Sequence, residues 1–249
     1  YYDFAELEEE DCLLPAEINK RPPWIDLPET GTIIILDDVD KVRRKTRPGH
    51  IVNELENTLG RVYRKYLGDG RKISISVKRK DKNKEKIVER VLQISDPLHI
   101  IPQSKEVQTF GTSIDYGTVT IAFDENNPLG YIPSFRTGRP AEIRIQMVRL
   151  DVGNIRKALA IPLSGQLDSQ TVKNNPLAKW GINVDGQGFS IIRNGREIRS
   201  AETLQLFTKR AGLNFFRGEI EFDEELDDLF RIQTNKSRFN IIARLRDII

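Results

Sequence analysis

The sequence predicts an α+β fold in which one long helix precedes a series of short strands. Between Lys45 and Leu67 apolar residues recur at helical spacing over several turns. After them, short segments with strand-like alternation are separated by turns rich in glycine, proline and asparagine. At 249 residues the chain is long enough for one large domain or two ordinary ones. We expect a division near residue 71, between a short helix-bearing piece and a larger mixed sheet.

The piece before residue 71 holds a connector, a strand and the long helix. Residues 1–30 are acidic and interrupted by prolines, which is typical of a connector. The string GTIIIL at 31–36 is apolar on both faces and therefore predicts a buried strand. In the helix that follows, Pro48 fits the first turn, and Gly68 and Gly70 mark the end.

The piece after residue 71 is predicted to consist mainly of strands. The strand candidates are 72–78, 88–94, 107–109, 118–123 and 143–150. Residues 162–187 are rich in Asn, Gln, Ser and Gly and predict a long loop. The pair Asn194-Gly195 then stands between two apolar runs, which is a strong signal for a β-hairpin with a two-residue turn.

Composition excludes several classes of protein. Charged residues make up 31% of the chain and no apolar run approaches the ~18 residues of a membrane span. A single cysteine, Cys12, excludes an internal disulfide framework and favours a reducing compartment, hence a cytoplasmic protein, or a nuclear one in a eukaryote. The two histidines have no metal-ligand spacing, so we expect no metal site built from this chain. Because the chain starts at Tyr1 and its one methionine is Met147, we expect a fragment.

A donor-rich loop near the end of the chain is the main candidate site. Alternation over 216–222 predicts a strand, and an acidic helix with Leu226, Leu229 and Phe230 on one face is expected to follow. The string Gln233-Thr234-Asn235-Lys236 comes next. Its lysine and amide donors suit a terminal phosphate. A solvated surface loop is the alternative on residue types alone.

Four strings occur in the order found in one superfamily of ATPases. They are GTIIIL at 31–36, HIVNELENTLGRVYRKYL at 50–67 with ISISV at 73–77, QGFSIIRNGREI at 187–198, and RGEIEFDEELDDLFRIQTNK at 217–236. With these strings the chain resembles the later part of GHKL-type ATPases, the superfamily of DNA gyrase B, MutL, MORC proteins and the ninety-kilodalton heat-shock chaperone. The resemblance is strongest to bacterial MORC-like or MutL-like members. It implies that residues 1–71 end a Bergerat-type ATP-binding domain and that residues 72–249 form a mixed-sheet transducer domain with a left-handed β-α-β element.

The resemblance also implies a nucleotide site shared between two parts. Gly31 and Thr32 would contact the adenine region, and Lys236, helped by Gln233 and Asn235, would contact the γ-phosphate of ATP. The family's E-x-x-x-N helix, with its general base and its Mg²⁺-binding asparagine, is absent before Gly31, as is its D-x-G-x-G loop. ATP and Mg²⁺ would thus be held mainly by residues upstream of this chain, and the chain alone is expected not to hydrolyse ATP.

Partners follow from the same resemblance. It implies a homodimer formed through the ATP-binding region, the missing N-terminal ATPase part as a partner, and capture of a client, for which DNA is the expected class. The basic residues Arg43, Arg44 and Lys45 are candidate contacts to nucleic-acid phosphates, although a solvated face is the simpler explanation of such a cluster. A non-enzymatic nucleic-acid-binding module is therefore the alternative function.

Overall fold

The computed structural model describes residues 48–81, 84–161 and 176–230. All of them belong to one compact unit, Thr46–Ile249. The predicted connector at 1–30, the buried strand at 31–36, most of the loop at 162–187 and the loop at 233–236 lie outside the described residues.

The predicted long helix is confirmed as two consecutive helices, α1 (Pro48–Val62) and α2 (Arg64–Gly68), with a break at Tyr63. Pro48 is the first residue of α1, a position where its missing N–H costs nothing. Val52 of α1 is fully buried. Gly60 lies so close to the backbone at Gln93 that a Cβ atom on it would stand 2.2 Å from the Gln93 carbonyl oxygen. Glycine at position 60 is therefore what lets α1 approach this segment.

A two-stranded antiparallel sheet follows the helices. Its strands are β1 (Ser74–Asp81) and β2 (Lys84–Val91), and they confirm the strands predicted at 72–78 and 88–94, with displaced bounds. Helix α1 packs against both strands. The small core between them consists of apolar side chains from the helices, the strands and the segment that follows, namely Val52, Leu67, Ile75, Leu92 and Ile94.

The strand predicted at 107–109 is wrong, because these residues belong to helix α3 (Lys105–Phe110). The Ser104 hydroxyl caps this helix by accepting a hydrogen bond from the backbone N–H of Val107. Gly111, with a φ of 78°, ends it. The local cap therefore outweighs the strand propensity of the β-branched residues Val107 and Thr109.

The main sheet has five strands. They are β3 (Ile114–Ala122), β4 (Glu142–Arg149), β5 (Gly188–Arg193), β6 (Arg196–Glu202) and β7 (Phe216–Phe222), with helix α4 (Val152–Ala158) following β4. Their spatial order is β3-β4-β7-β5-β6, and every neighbouring pair is antiparallel except β5 and β7. The strands predicted at 118–123, 143–150 and 216–222, and the Asn194-Gly195 hairpin, are confirmed. The coarse prediction of an α+β fold is confirmed as well.

The two faces of the main sheet differ in polarity. On one face Ile145 pairs with Ile220, and both side chains lie in the main hydrophobic core. On the other face the next pair in the ladder is Gln146 with Glu219, whose side chains are polar. This alternation follows from the two-residue period of a strand, and it leaves one face of the sheet available for polar interactions.

Two finer predictions are not decided by the described residues. The parallel strands β5 and β7 are joined through β6 and a 3-10 turn, Ala211–Leu213, so the described chain between them contains no α-helix. The left-handed β-α-β element and the boundary near residue 71 both stay predictions. Across the described ranges, no helix combines the length and the apolar character that crossing a membrane requires.

Candidate functional site

The residues singled out from the sequence all lie outside the described ranges. They are the adenine-region pair Gly31 and Thr32, the basic residues Arg43, Arg44 and Lys45, and the phosphate-contacting set Gln233, Asn235 and Lys236. Their roles stay predictions. The described residues form two features of interest, a cleft on the polar face of the main sheet and a turn that directly follows β7.

The cleft, which we call the sheet cleft, has a volume of about 530 Å³. It lies where α2 and the β5–β6 turn meet the polar face of β3, β4 and β7. Basic, acidic and neutral polar side chains all line it: Lys65, Tyr66, Asp69, Arg71, Thr118, Arg136, Arg144, Gln146, Asn194, Gly195, Glu219, Glu221 and Asp223. Such a lining suits a polar, charged ligand and does not suit an apolar one.

A buried ion-pair cluster lies beside the sheet cleft and joins α2 to the sheet. Arg64, 1% exposed, pairs with Glu197 of β6 and with Glu219 of β7, where Nη2 and Oε2 are 2.7 Å apart. Asp96 adds a third carboxylate at 3.9 Å. Burial alone would lower the pKa of Arg64, but the attraction of these three carboxylates outweighs burial and raises it. Arg64 is therefore a permanently charged tie between helix and sheet.

Lys65 and Arg61 extend this cluster on either side. Lys65 pairs with Glu219 and lies 3.6 Å from Glu221. Burial would raise the pKa of Glu219, but the neighbouring Arg64 and Lys65 hold it below its usual range. The Arg61 Nε atom lies 2.8 Å from Glu197, yet its N–H makes no hydrogen bond, so this contact is an ion pair only. Glu219 is thus an ionised carboxylate at the floor of the sheet cleft.

The cations at the mouth of the sheet cleft are held more loosely. Arg144 and Arg136 are each more than half exposed and reach their carboxylate partners at 3.7 Å and 3.4 Å. Arg71 stacks over the Tyr66 ring at 4.7 Å. Exposed pairs of this kind contribute about 0–1 kcal/mol, so an incoming anionic group can replace the carboxylate partners at little cost.

The turn after β7, which we call the acidic turn, spans Asp223–Phe230. Its 3-10 segment, Glu224–Leu226, stands where a short α-helix was predicted. Leu226 and Phe230 are fully buried and Leu229 packs against the same core, so the predicted apolar face is confirmed. Phe230 stacks on Phe222 with ring centroids 3.7 Å apart. This stacking fixes Phe230, the final residue of the acidic turn, to the main sheet.

Polar contacts from the last residue of β5 and from the β5–β6 turn hold the acidic turn in place. Arg193 makes a two-pronged contact with Asp227, at 2.6 Å and 2.7 Å. The Asn194 side-chain oxygen accepts a hydrogen bond from the backbone N–H of Glu224. Asn194 has a φ of 49°, as a primed two-residue turn requires. Asn194 therefore has two roles: it forms the turn of the β5–β6 hairpin, and its side chain holds the start of the acidic turn.

Comparisons with known protein families, curated proteins and solved structures give no match. The resemblance to GHKL-type ATPases therefore rests on the four sequence strings alone.

Reasoning from the sequence did not find the residues that build the sheet cleft and hold the acidic turn. Arg64, Glu197 and Glu219 carry no signal in the sequence, because the two carboxylates that Arg64 hydrogen-bonds are 133 and 155 residues away in the chain. The contact between Arg193 and Asp227 is also long-range, at 34 residues. No group of His, Cys, Asp and Glu side chains within the described ranges is arranged to hold a metal ion.

Proposed function

We propose that the chain is the nucleotide-sensing part of a GHKL-type ATPase, comprising the end of an ATP-binding domain followed by a transducer domain. It acts with an ATP-binding half that holds ATP and Mg²⁺, on the same polypeptide or on a partner chain. The loop with Lys236 senses the γ-phosphate. Sensing couples ATP binding and hydrolysis to dimerisation and to capture of a client, with DNA as the proposed class.

The acidic turn is the observation that carries this proposal. A phosphate sensor must reach its target from a rigid base, because a loosely held donor is poorly positioned. Phe230 is buried and stacked on Phe222, and Lys236 follows it six residues later in the sequence. A chain of six residues reaches at most about 20 Å. The backbone of Lys236 is therefore within about 20 Å of Phe230.

The position of the acidic turn supports the same function. Asp223, at its start, and Asn194, which holds it, both line the sheet cleft. The acidic turn, which precedes the proposed sensing loop in the sequence, therefore begins beside a charged cleft that α2 also lines. A change transmitted to the acidic turn would therefore reach a cleft that α2 lines, as coupling between nucleotide and domain geometry requires.

The chemistry assigned to Lys236 is electrostatic. Phosphoryl transfer proceeds mainly by positioning and charge stabilisation, so a lysine that meets the γ-phosphate stabilises negative charge as the phosphoryl group leaves. ADP lacks that phosphate and leaves the lysine without its partner. The same contact therefore distinguishes ATP from ADP.

The test is Lys236→Ala in a polypeptide that includes the ATP-binding half, with Lys157→Ala as the matched control. Lys157 lies exposed on α4, so its removal reports only a general effect of charge. We expect ATP turnover to fall about a hundredfold or more in the Lys236 variant, as for the loss of one donor to a transition state. Affinity for ADP should change by less than about twofold, because the lost contact is to the γ-phosphate.

Unchanged turnover in the Lys236 variant would refute the proposed role. Equal losses of ADP and ATP binding would refute it too, because they would place the lysine elsewhere on the nucleotide or in the folding of the domain.

A further inference from the structure

The hairpin of β1 and β2 is a separate element with a fixed base. Within the described ranges its two strands pair with each other and not with the main sheet. Helix α1 packs against both strands, and the core that they share ends at the opposed residues Val77 and Val88. After β2, the backbone N–H of Ser95 donates a hydrogen bond to the carbonyl oxygen of Gly60 on α1. An isolated hairpin is only marginally stable, so this packing is what supports it.

Beyond the two valines the hairpin extends past this core. Each strand continues for four residues, to Asp81 on β1 and back from Lys84 on β2, while residues 82–83 lie outside the described ranges. At about 3.4 Å per residue, four residues add about 13 Å to the hairpin. Ile87 is the one apolar residue of these two stretches, and it is 52% exposed. The outer half of the hairpin therefore lacks an apolar core of its own.

Positive charge is concentrated in this outer half. Residues 78–81 and 84–86, which we call the basic tip, contain five cations and two carboxylates. Their net charge is +3, whereas the whole chain carries +2. The strand register places Arg79 directly opposite Lys86. Like charges at opposed positions destabilise a hairpin, and an anionic partner between them would remove that cost.

We propose that the basic tip contacts the phosphate backbone of double-stranded DNA, with the hairpin entering the major groove. A major groove about 12 Å wide admits a two-stranded β-ribbon. Lysine and arginine side chains that neutralise phosphates release bound counterions, and this release drives binding that does not depend on sequence. As a contact surface for the DNA client, this inference rests on the proposed function, but its test needs neither nucleotide nor the ATP-binding half.

The composition of the basic tip selects among anionic partners. It has four lysines, one arginine and no aromatic residue. Protein interfaces are depleted in lysine and enriched in aromatic residues, and segments that enter a membrane surface carry apolar side chains. Single-stranded nucleic acids are bound by stacking on aromatic rings, and the major groove of double-stranded RNA is deep and narrow. Duplex DNA is therefore the partner that this hairpin fits.

The first experiment measures binding of the whole chain to a fluorescent DNA duplex by anisotropy, without nucleotide and at several salt concentrations. Contact with about four phosphates should make the affinity fall on the order of a hundredfold between about 50 and 200 mM salt. Arg79→Gln combined with Lys86→Gln should weaken binding at least about tenfold at about 100 mM salt. The slope of log affinity against log salt should become shallower by about 2.

The matched control is Lys157→Gln combined with Lys179→Gln. It removes the same charge from exposed positions on α4 and on the 3-10 turn Ala178–Trp180, and should weaken binding less than about twofold. The Arg79 and Lys86 double variant should resist urea at least as well as the wild type, because it removes the opposed like charges. Weaker binding by that variant would therefore not be a consequence of unfolding.

A second experiment compares anionic partners. The same chain is titrated with duplex DNA, single-stranded DNA and double-stranded RNA of equal length, and with vesicles of phosphatidylcholine and phosphatidylserine. Duplex DNA should bind most tightly, and duplexes of different sequence should bind alike.

The proposal fails if the chain does not bind duplex DNA at low salt, or if the control variant weakens binding as much as the Arg79 and Lys86 variant does. It fails also if single-stranded DNA, double-stranded RNA or the vesicles bind more tightly than duplex DNA.

Failure of this proposal is distinguishable from failure of the sensing role. Lys236→Ala should not alter DNA binding in the absence of nucleotide. If that variant loses ATP turnover while the chain binds no DNA, the basic tip is excluded and the sensing role stands. If turnover is unchanged while DNA binding depends on Arg79 and Lys86, the sensing role is excluded and the basic tip stands.

Discussion

His99 provides the sharpest test of how the stability of this protein depends on pH. The imidazole is 2% exposed and stacks on Phe110, with ring centroids 5.5 Å apart. Burial, and secondarily repulsion from Arg217, lower the pKa of His99 from its usual 6.5 to about 4. The nearby Arg217 is itself buried, and its guanidinium donates hydrogen bonds to the carbonyl groups of Gly181, Asn214 and Phe216. A proton added to His99 would therefore face an existing buried cation.

The sign of the effect on stability follows from the two pKa values. Well above pH 6.5 the imidazole is neutral in both the folded and the unfolded state and contributes no pH dependence. As the pH falls through 6.5, the unfolded chain binds a proton that the folded chain does not bind until about pH 4, so the free energy of unfolding decreases. The full shift corresponds to about 3 kcal/mol, and about 2 kcal/mol of it should be lost between about pH 7.5 and pH 5.

The assay is urea denaturation at a series of pH values in that window, where carboxylates still contribute little. His99→Phe keeps an aromatic ring against Phe110 but cannot titrate, so its free energy of unfolding should vary by less than about 0.5 kcal/mol over the same range. His50→Gln removes the other histidine of the chain, which is exposed on α1, and should retain the wild-type slope. A wild-type slope in His99→Phe, or a flat profile in His50→Gln, would refute the assignment to His99.

Three further predictions concern the ion-pair cluster, the acidic turn and the basic residues. Arg64→Met should lower the free energy of unfolding by about 3–5 kcal/mol, because Glu197 and Glu219 lose their buried, hydrogen-bonded cation and keep only Arg61 and Lys65. Arg90→Met, at an exposed pair, should cost less than about 1 kcal/mol in the same urea titration. Phe230→Ala should cost about 3–5 kcal/mol by opening a cavity against Phe222, and Phe135→Ala, 78% exposed, should cost less than about 0.5 kcal/mol. If the chain binds DNA, neutralising residues 43–45 should weaken binding and reduce its salt dependence in fluorescence anisotropy, and no binding at low salt would eliminate the alternative function of a nucleic-acid-binding module.

Local patterns predicted the elements whose structure is decided locally. Apolar spacing over 45–67 predicted the helices, alternation predicted β7, and the Asn194-Gly195 pair predicted the hairpin, because each of these signals acts within a few residues. The same reasoning failed at Val107, where β-branched residues suggested a strand and the Ser104 cap decided for a helix.

Sites that depend on long-range contacts were beyond sequence reasoning. Arg64 lies on a helix near the charged residues Arg61 and Lys65, and nothing in the neighbouring sequence indicates that its side chain is buried. Its role depends on Glu197 and Glu219, which only the assembled sheet brings to it. A buried arginine is stable only with its partners in place, so neither the helix nor the strands alone carry the information.

The ion-pair cluster constrains where any conformational change in this protein can occur. Separating α2 from the sheet would expose or unpair Arg64 and two carboxylates, at a cost of several kcal/mol. Reversing a two-state equilibrium from 1:99 to 99:1 already takes about 5.5 kcal/mol of differential binding. A ligand at the sheet cleft would have to supply both amounts to move α2 away from the sheet. Helix α2 should therefore move together with β6 and β7 as one body, and motion should be concentrated where exposed pairs such as Arg136 with Glu224 provide the contacts.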